Sequence, residues 1–203
     1  MITFRIFLPG YRCVYYPKDN NTVHKTQCKS GEIMLDKNVT GLLNQQVNKE
    51  FYSAYLYLDI ANYYESMNLD GFANWFKIQA QEERDHAMLM YQYLHNNDAE
   101  VTLEAIAKPD KVYPDKIAPL KVTLEHERYV TSLINNIYAA AYEVKDFRTM
   151  QYLDWFVKEQ GEEEKNATDL IAKMELFGDD AKTLYMVNSE LGTRVYNPPS
   201  LVL

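Results

Sequence analysis

Glu83 and His86 stand three residues apart in "AQEERDHAML", residues 80–89, a stretch that otherwise reads as one continuous helix. Residues at this spacing share a helical face, with Cβ atoms about 5 to 6 Å apart, close enough for both side chains to reach one ion. That face should be apolar, so Glu83 is the anomaly, and it has counterparts. Stepping four, three, four and three residues keeps one face inward and reads Leu43, Val47, Glu50, Ala54, Tyr57 and Ala61 in a first helical stretch. The second gives Phe76, Ala80, Glu83, Ala87, Met90 and Leu94, and the third gives Leu120, Leu124, Glu127, Thr131, Ile134 and Tyr138. The fourth gives Leu153, Phe156, Gln160, Glu163, Ala167, Leu170 and Met174. Each row holds a glutamate near its middle, so antiparallel packing brings Glu50, Glu83, Glu127 and Glu163 into one layer.

A single glutamate on such a row is ordinarily a boundary residue that reaches water. Four at one depth are a different matter, because an uncompensated carboxylate in an apolar interior costs several kcal/mol. No row contains Lys or Arg, and the nearby Arg84, Arg128, Lys158 and Lys165 point off the inward face. Shared protons or bound cations must therefore neutralise the layer, and two divalent ions balance four carboxylates directly. Carboxylates with one imidazole and no thiolate suit iron or manganese, tolerate zinc, and disfavour copper(I) and iron–sulfur clusters. Tyr57, seven residues after Glu50, is either a phenol beside the ions or a core aromatic with its hydroxyl bonded.

The elements that must position these residues begin after Met34. Helical patterning runs from about Asp36 to Ser66, from Asp70 (read as an N-cap) to about residue 97, from about Pro119 to Val144, and from Asp146 to Phe177. A short fifth helix is predicted in "GDDAKTLYMVNSELG". The first pair and the last pair of long helices have short connections, whereas "DAEVTLEAIAKPDKVYPDKIAP" has three prolines and no helical period and reads as a long crossover between helices two and three. The expected fold is all-α, a four-helix bundle with one crossover. The chain has 203 residues, enough for one domain, and a net charge of −8 with no Lys/Arg cluster, which excludes nucleic acid as an expected partner. No apolar run approaches a membrane span.

Three segments, "NKEFYSAYLYL", "AQEERDHAM" and "YLDWFVKEQGEEEK", resemble the iron-site motifs of the non-haem bacterial ferritins, and the likeness covers nearly all of residues 34 to about 192. The resemblance implies a ferritin-like bundle in which Glu50, Glu83 and His86 bind one iron. Glu83 would bridge to a second iron held by Glu127 and Glu163, with Gln160 near it and Tyr57 beside the pair. It also implies an acidic third iron site of Glu82, Glu159, Glu162 and Glu163, for which a solvated acidic face is the alternative reading; Glu164 is left to solvent. Helix four lacks the second ExxH of bacterioferritins and rubrerythrins, Arg84 and Asp85 stand where a haem-binding Met would be looked for, and no CxxC pair is present, so no haem is expected.

The implied activity is oxidation of Fe(II) by oxygen or peroxide at the di-iron centre, with ferric mineral deposited inside a hollow cytoplasmic shell of 24 subunits. Two other classes share the bundle: a di-iron or di-manganese oxidase or oxygenase acting on a small substrate, which needs an apolar pocket beside the metals, and a metal-free structural bundle. Gly161 inside helix four costs about 1 kcal/mol relative to Ala, and neither it nor the Pro198-Pro199 segment of the tail, residues 193–203, has an explanation in the sequence.

Residues 1–33 differ from the rest. They hold both cysteines, lack helical patterning and are broken by Pro9, Gly10, Pro17, Asn20 and Asn21. Cys13 and Cys28 lack CxxC spacing, so a disulfide or a metal site between them is weakly indicated, and the absence of Cys elsewhere fits a reducing compartment. Codons for Ser30, Gly31 and Glu32 can form a purine-rich string just before Met34, similar to a ribosome-binding site. Met34 is therefore the expected native start and residues 1–33 a translated leader; intact-mass measurement of the native protein should read a chain beginning at Met34, and the longer mass would refute this.

Overall fold

The computed structural model describes residues 5–8, 11–14 and 35–202, the first two segments by backbone alone. The chain divides into two units, residues 1–34 and 35–203. In the first, β1 (Arg5–Leu8) pairs antiparallel with β2 (Tyr11–Val14), with Arg5 opposite Val14 and Leu8 opposite Tyr11. This corrects the expectation that Pro9 and Gly10 bar any regular element, since the β-branched and aromatic residues on either side of them form a ladder. The leader reading and the Cys13–Cys28 pairing lie outside the described residues.

The regular elements of the second unit are all helices, α1 (Lys37–Ser66), α2 (Asp70–Asn96), α3 (Ala118–Glu143), α4 (Phe147–Phe177) and α5 (Ala181–Leu191). Three helices start on aspartate caps: Asp36 accepts from the amides of Asn38 and Val39, Asp146 from Thr149, and Asp180 from Thr183. The ends of α1, α2 and α3 share one device. Asn68, Asp98 and Lys145 each adopt a φ of 55° to 57°, and the residue after each donates to the carbonyl five residues back, as Leu69 does to the Tyr64 carbonyl at 3.0 Å. Two sharp reversals so formed make α1–α2 and α3–α4 neighbouring pairs.

The crossover, residues 97–117, satisfies its backbone without secondary structure of its own. The Asn44 side chain accepts from the Thr102 amide at 2.8 Å and donates to the Glu100 carbonyl, and Asn48 does the same for Glu104 and Thr102 one turn on. Farther along, Tyr113 donates to Asp59 at 2.9 Å and Tyr64 to the Lys116 carbonyl at 2.8 Å. The crossover is thus laid along α1 from one end to the other, carrying the chain back so that α3 can pack on α1.

Two apolar clusters fill the bundle. One contains Leu43, Val47, Met90, Leu94, Val130, Ile134, Leu153 and Phe156, and the other Leu56, Ile60, Phe72, Phe76, Leu120, Leu170 and Met174. The inward rows of α2 and α4 are those read from the sequence, and all their members are buried. In α1 and α3 most of the expected row is buried, but Ser53, Thr123, Val130 and Ile137 are buried where Ala54, Leu124, Thr131 and Tyr138 were expected. The buried row of α3, Leu120, Thr123, Glu127, Val130, Ile134, Ile137 and Ala141, keeps the seven-residue repeat but steps three then four where four then three was read, so Leu120, Glu127 and Ile134 are common to both and the alternate positions differ.

Asp70 is not the cap of α2. Leu69 holds that position with no side-chain bond, and the Asn188 side chain of α5 instead accepts from the amides of Gly71 at 2.9 Å and Phe72 at 3.2 Å. A Cβ on residue 71 would collide with the Asn188 carbonyl, so glycine is required for the close approach. The tail also docks on this unit: Asn74 donates to the Arg194 carbonyl at 3.1 Å, Tyr196 donates to Asp85, Trp155 donates to Ser200 Oγ at 3.1 Å, and Leu201 packs on the first cluster. Nothing lies within reach of a Cβ on Gly161, and the structure does not explain that residue. Asn188→Ala should lower stability by about 1 kcal/mol and Gly71→Ala by more, read as falls in melting temperature; two unchanged melting curves would show that α5 does not cap α2.

Candidate metal centre

The four glutamates lie between the two apolar clusters, which is where one row position per helix has been given up to a charge. Glu50 and Glu127 are each 1 % exposed, Glu83 2 % and Glu163 7 %. His86, Gln160 and Tyr57 are buried with them. A ligand atom from each of Glu50, Glu83 and His86 lies within 4.8 Å of the other two, and His86 Nδ1 is 3.7 Å from Glu83 Oε2. The His86 ring is held edge-on against Trp155 and Phe156, with centroids 5.4 and 5.9 Å away.

Glutamine amides orient the carboxylates. Gln46 donates to Glu50 Oε1 at 2.9 Å and Gln79 to Glu83 Oε1 at 3.4 Å, each from one turn earlier on its own helix. Gln160 donates to Glu127 Oε2 at 3.1 Å across the α3–α4 interface, and the Tyr57 hydroxyl donates to Glu127 Oε1. Glu50 Oε2 remains buried with no hydrogen-bond partner among the described residues. Because a buried acceptor left empty is costly, an orphan carboxylate oxygen in an anionic cluster fits a cation as its missing partner. Hard oxygen donors with one imidazole suit an iron-sized divalent or trivalent ion.

Electrostatics report the same deficit. Burial pushes Glu50 up to about 8, with the charge of Glu83 adding to it, and Glu127 rises to about 8 by burial and then Glu83. Glu83 is raised by burial and then Glu163, and Glu163 by burial and then Glu127. Burial and the Glu127 charge hold the Tyr57 phenol well above its ordinary value, so it stays a donor. His126, which shares a 2.8 Å hydrogen bond with Ser53 and faces the Tyr57 ring edge-on, is lowered to about 4 by burial and then by Lys111 and Lys49.

The residues of the suggested third site are arranged more loosely. Glu82 is partly buried and pairs with Arg194 at 2.5 Å, while Glu162 is exposed and pairs with Lys158 at 3.4 Å. Glu159 is raised by burial, with His86 lowering it and Glu162 raising it, and its charge is felt at Glu82. Glu164 is not simply solvated: it accepts from Thr131 at 2.7 Å and lies 3.8 Å from Arg128. Reading the rows missed Gln46 and Gln79, although a glutamine four residues before each buried glutamate is a recognisable helical pair. Ser53, His126 and Arg194 were missed as well, and Arg194 carries no local signal at all.

Residues 40–177 match the Ferritin-like domain of the ferritin family. The chain is 35% identical over 159 residues to a probable bacterial non-haem ferritin-like protein of Haemophilus influenzae, spanning 78% of this chain and 96% of that one. It is 35% identical over 164 residues to a bacterial non-haem ferritin of Staphylococcus aureus, covering 81% and 99% of the two. Among solved structures it resembles an open-pore ferritin of the hyperthermophilic archaeon Archaeoglobus fulgidus at TM-score 0.78 and 38% identity, over 80% of this chain and 99% of that one. A humanized archaeal ferritin gives TM-score 0.79 at 39% identity, over 81% and 99%.

Without metal, Glu50 and Glu127 keep a proton in the folded chain up to about pH 8, against 4.5 for the unfolded one. Their contribution to stability is complete below 4.5 and is lost as pH rises through 8. Metal-free protein should therefore show a melting temperature that falls between about pH 5 and pH 8.5, the fall shrinking in Glu50→Gln and Glu127→Gln, and Zn2+ binding at pH 7 should release protons to a weak buffer. A pH-independent melting curve with no proton release would contradict the protonated layer.

Proposed function

Because the chain belongs to the ferritin family, we propose that it oxidises Fe(II) at an intrasubunit di-iron centre and stores the ferric product in a shell built from its own copies. The observation that carries this reading is the layer of four buried glutamates and one histidine that, among the described residues, has no Lys or Arg bonded to it and one carboxylate oxygen left unsatisfied. Iron is here the substrate. Glu50, Glu83 and His86 take the first ion, and Glu83 reaches toward a second held by Glu127 and Glu163 with Gln160 at its edge. The chemistry follows from the ligands: anionic oxygen donors stabilise Fe(III) over Fe(II), so each ion gives up one electron more readily, and a pair gives the two that reduce oxygen to peroxide or peroxide to water. Protons shed by the raised carboxyls as Fe(II) binds are at hand for that reduction. Tyr57 fixes the Glu127 carboxylate, and Gln46 and Gln79 fix Glu50 and Glu83, so the ligands are oriented before iron arrives.

Glu82, Glu159 and Glu162, with Glu163, make up the third iron site in this reading, which the influence of Glu159 on Glu82 and of Glu162 on Glu159 supports. Tyr185 and Met186 of α5 and Leu176 at the end of α4 are exposed apolar residues, which supports association with further copies into a 24-subunit particle. Residues 34–192 carry the iron chemistry, with residues 1–33 outside it. Among the described residues no helix is long and apolar enough to cross a membrane, which agrees with a cytoplasmic store. The cavity lined by Trp75, Leu170, Leu176 and Leu191 shares no residue with the glutamate layer, so it does not support the reading of an oxidase with a small organic substrate.

Size-exclusion should show a particle of roughly half a megadalton, as twenty-four chains of 23.8 kDa require, and Fe(II) added without oxygen and then exposed to air should give the ferric absorbance rise. Glu83→Ala should slow the initial rise by at least about tenfold, and Glu83→Gln should do the same while preserving shape. An unchanged initial rate in both would reject the assignment of this centre.

A further inference from the structure

Arg194 lies beyond α5, in a tail whose role the sequence does not disclose, yet its side chain ends against the acidic face of α2. Its Nη2 is 2.5 Å from Glu82 Oε2, and its Nη1 donates to Gln79 Oε1 at 3.0 Å and to the Trp75 carbonyl at 3.3 Å. The guanidinium lies over the Trp75 ring at 4.5 Å from its centroid. Three anchors hold the tail around it: Asn74 on the Arg194 carbonyl, Tyr196 on Asp85, and Ser200 under Trp155, the ring that abuts His86. The Arg194 side chain is 23% exposed and that of Glu82 18%, so the pair is only partly screened by solvent.

We propose that Arg194 is a positioning residue for the third iron site, a resident counter-cation that occupies Glu82 and that iron must displace to bind there. The proposal rests on the functional reading above, which supplies the third site. A guanidinium cannot give up its charge by losing a proton, so it vacates Glu82 only by moving, and the anchored tail opposes that movement. Iron at the third site therefore meets a competitor that iron at Glu50, Glu83 and His86 does not. The same side chain also reaches toward the di-iron layer: with its Oε1 held by Arg194, the Gln79 amide directs its Nε2 to Glu83.

The test is calorimetric titration of the metal-free, full-chain assembly with Zn2+, which binds carboxylate and imidazole without redox chemistry. Wild type should take up two ions tightly and a third weakly per chain. In Arg194→Gln and Arg194→Ala the third should bind about tenfold more tightly, the loss of one charge-assisted contact. Arg194→Lys, which keeps the charge, should stay near wild type, and Glu82→Gln should abolish the gain in either background. Third-ion affinity unchanged or weakened in both Arg194→Gln and Arg194→Ala overturns the proposal, as does a gain that survives Glu82→Gln. Failure of the functional reading looks different: wild type itself would then take up no Zn2+ in the glutamate layer, and Glu83→Gln would leave the titration unaltered.

Discussion

Four carboxylates buried at one level, with no Lys or Arg bonded to any of them among the described residues, are the constraint on which the rest of the bundle depends. An apolar core has no way to compensate them, so the fold surrounds them with amides and a phenol and leaves the remaining deficit to protons or metal. The layer also separates the core into two apolar clusters, one beside Leu43 and Ile134 and one beside Ile60 and Leu170. Each cluster has to hold the helices in register by itself, because the level between them is given to chemistry. Stability is thereby surrendered in the middle of the molecule and recovered on either side of it.

Much of this was legible in the sequence because helical periodicity is a local property. The α2 and α4 rows, with Glu83, Gln160 and Glu163, are as the spacing implied, and helices ended where "MNLDG" and "HNND" suggested. The rows of α1 and α3 differed at Ala54, Leu124, Thr131 and Tyr138 because one seven-residue repeat can be stepped four then three or three then four, and spacing alone does not choose between them. Glu50 and Glu127 are common to both steps and so were read correctly. What the sequence could not disclose depends on contacts distant along the chain. Asn188 capping a helix more than a hundred residues earlier, and Arg194 reaching Glu82, leave no mark in any window of neighbouring residues.

Gln46 and Gln79 show a third kind of omission. Their signal was local and legible, a glutamine four residues before a buried glutamate, but a search for ligands passes over residues that only orient ligands. Gln79 matters most of these, since one of its amide atoms faces Glu83 and the other faces the tail. A side chain that is neither charged nor a ligand is thus one point, with Trp155, at which the metal layer and the tail after α5 meet.

The cap that Asn188 places on α2 makes this helix answerable to α5. α2 carries Glu83 and His86, yet the amides at its first turn have no acceptor of their own and wait for a residue synthesised more than a hundred positions later. A polypeptide that stops short of α5 would hold every member of the glutamate layer and still leave this helix open at its start. Synthesis has to pass Asn188 before the helix that bears the metal-site histidine is closed, so the element where the chemistry is concentrated stays open at its start until α5 has been made.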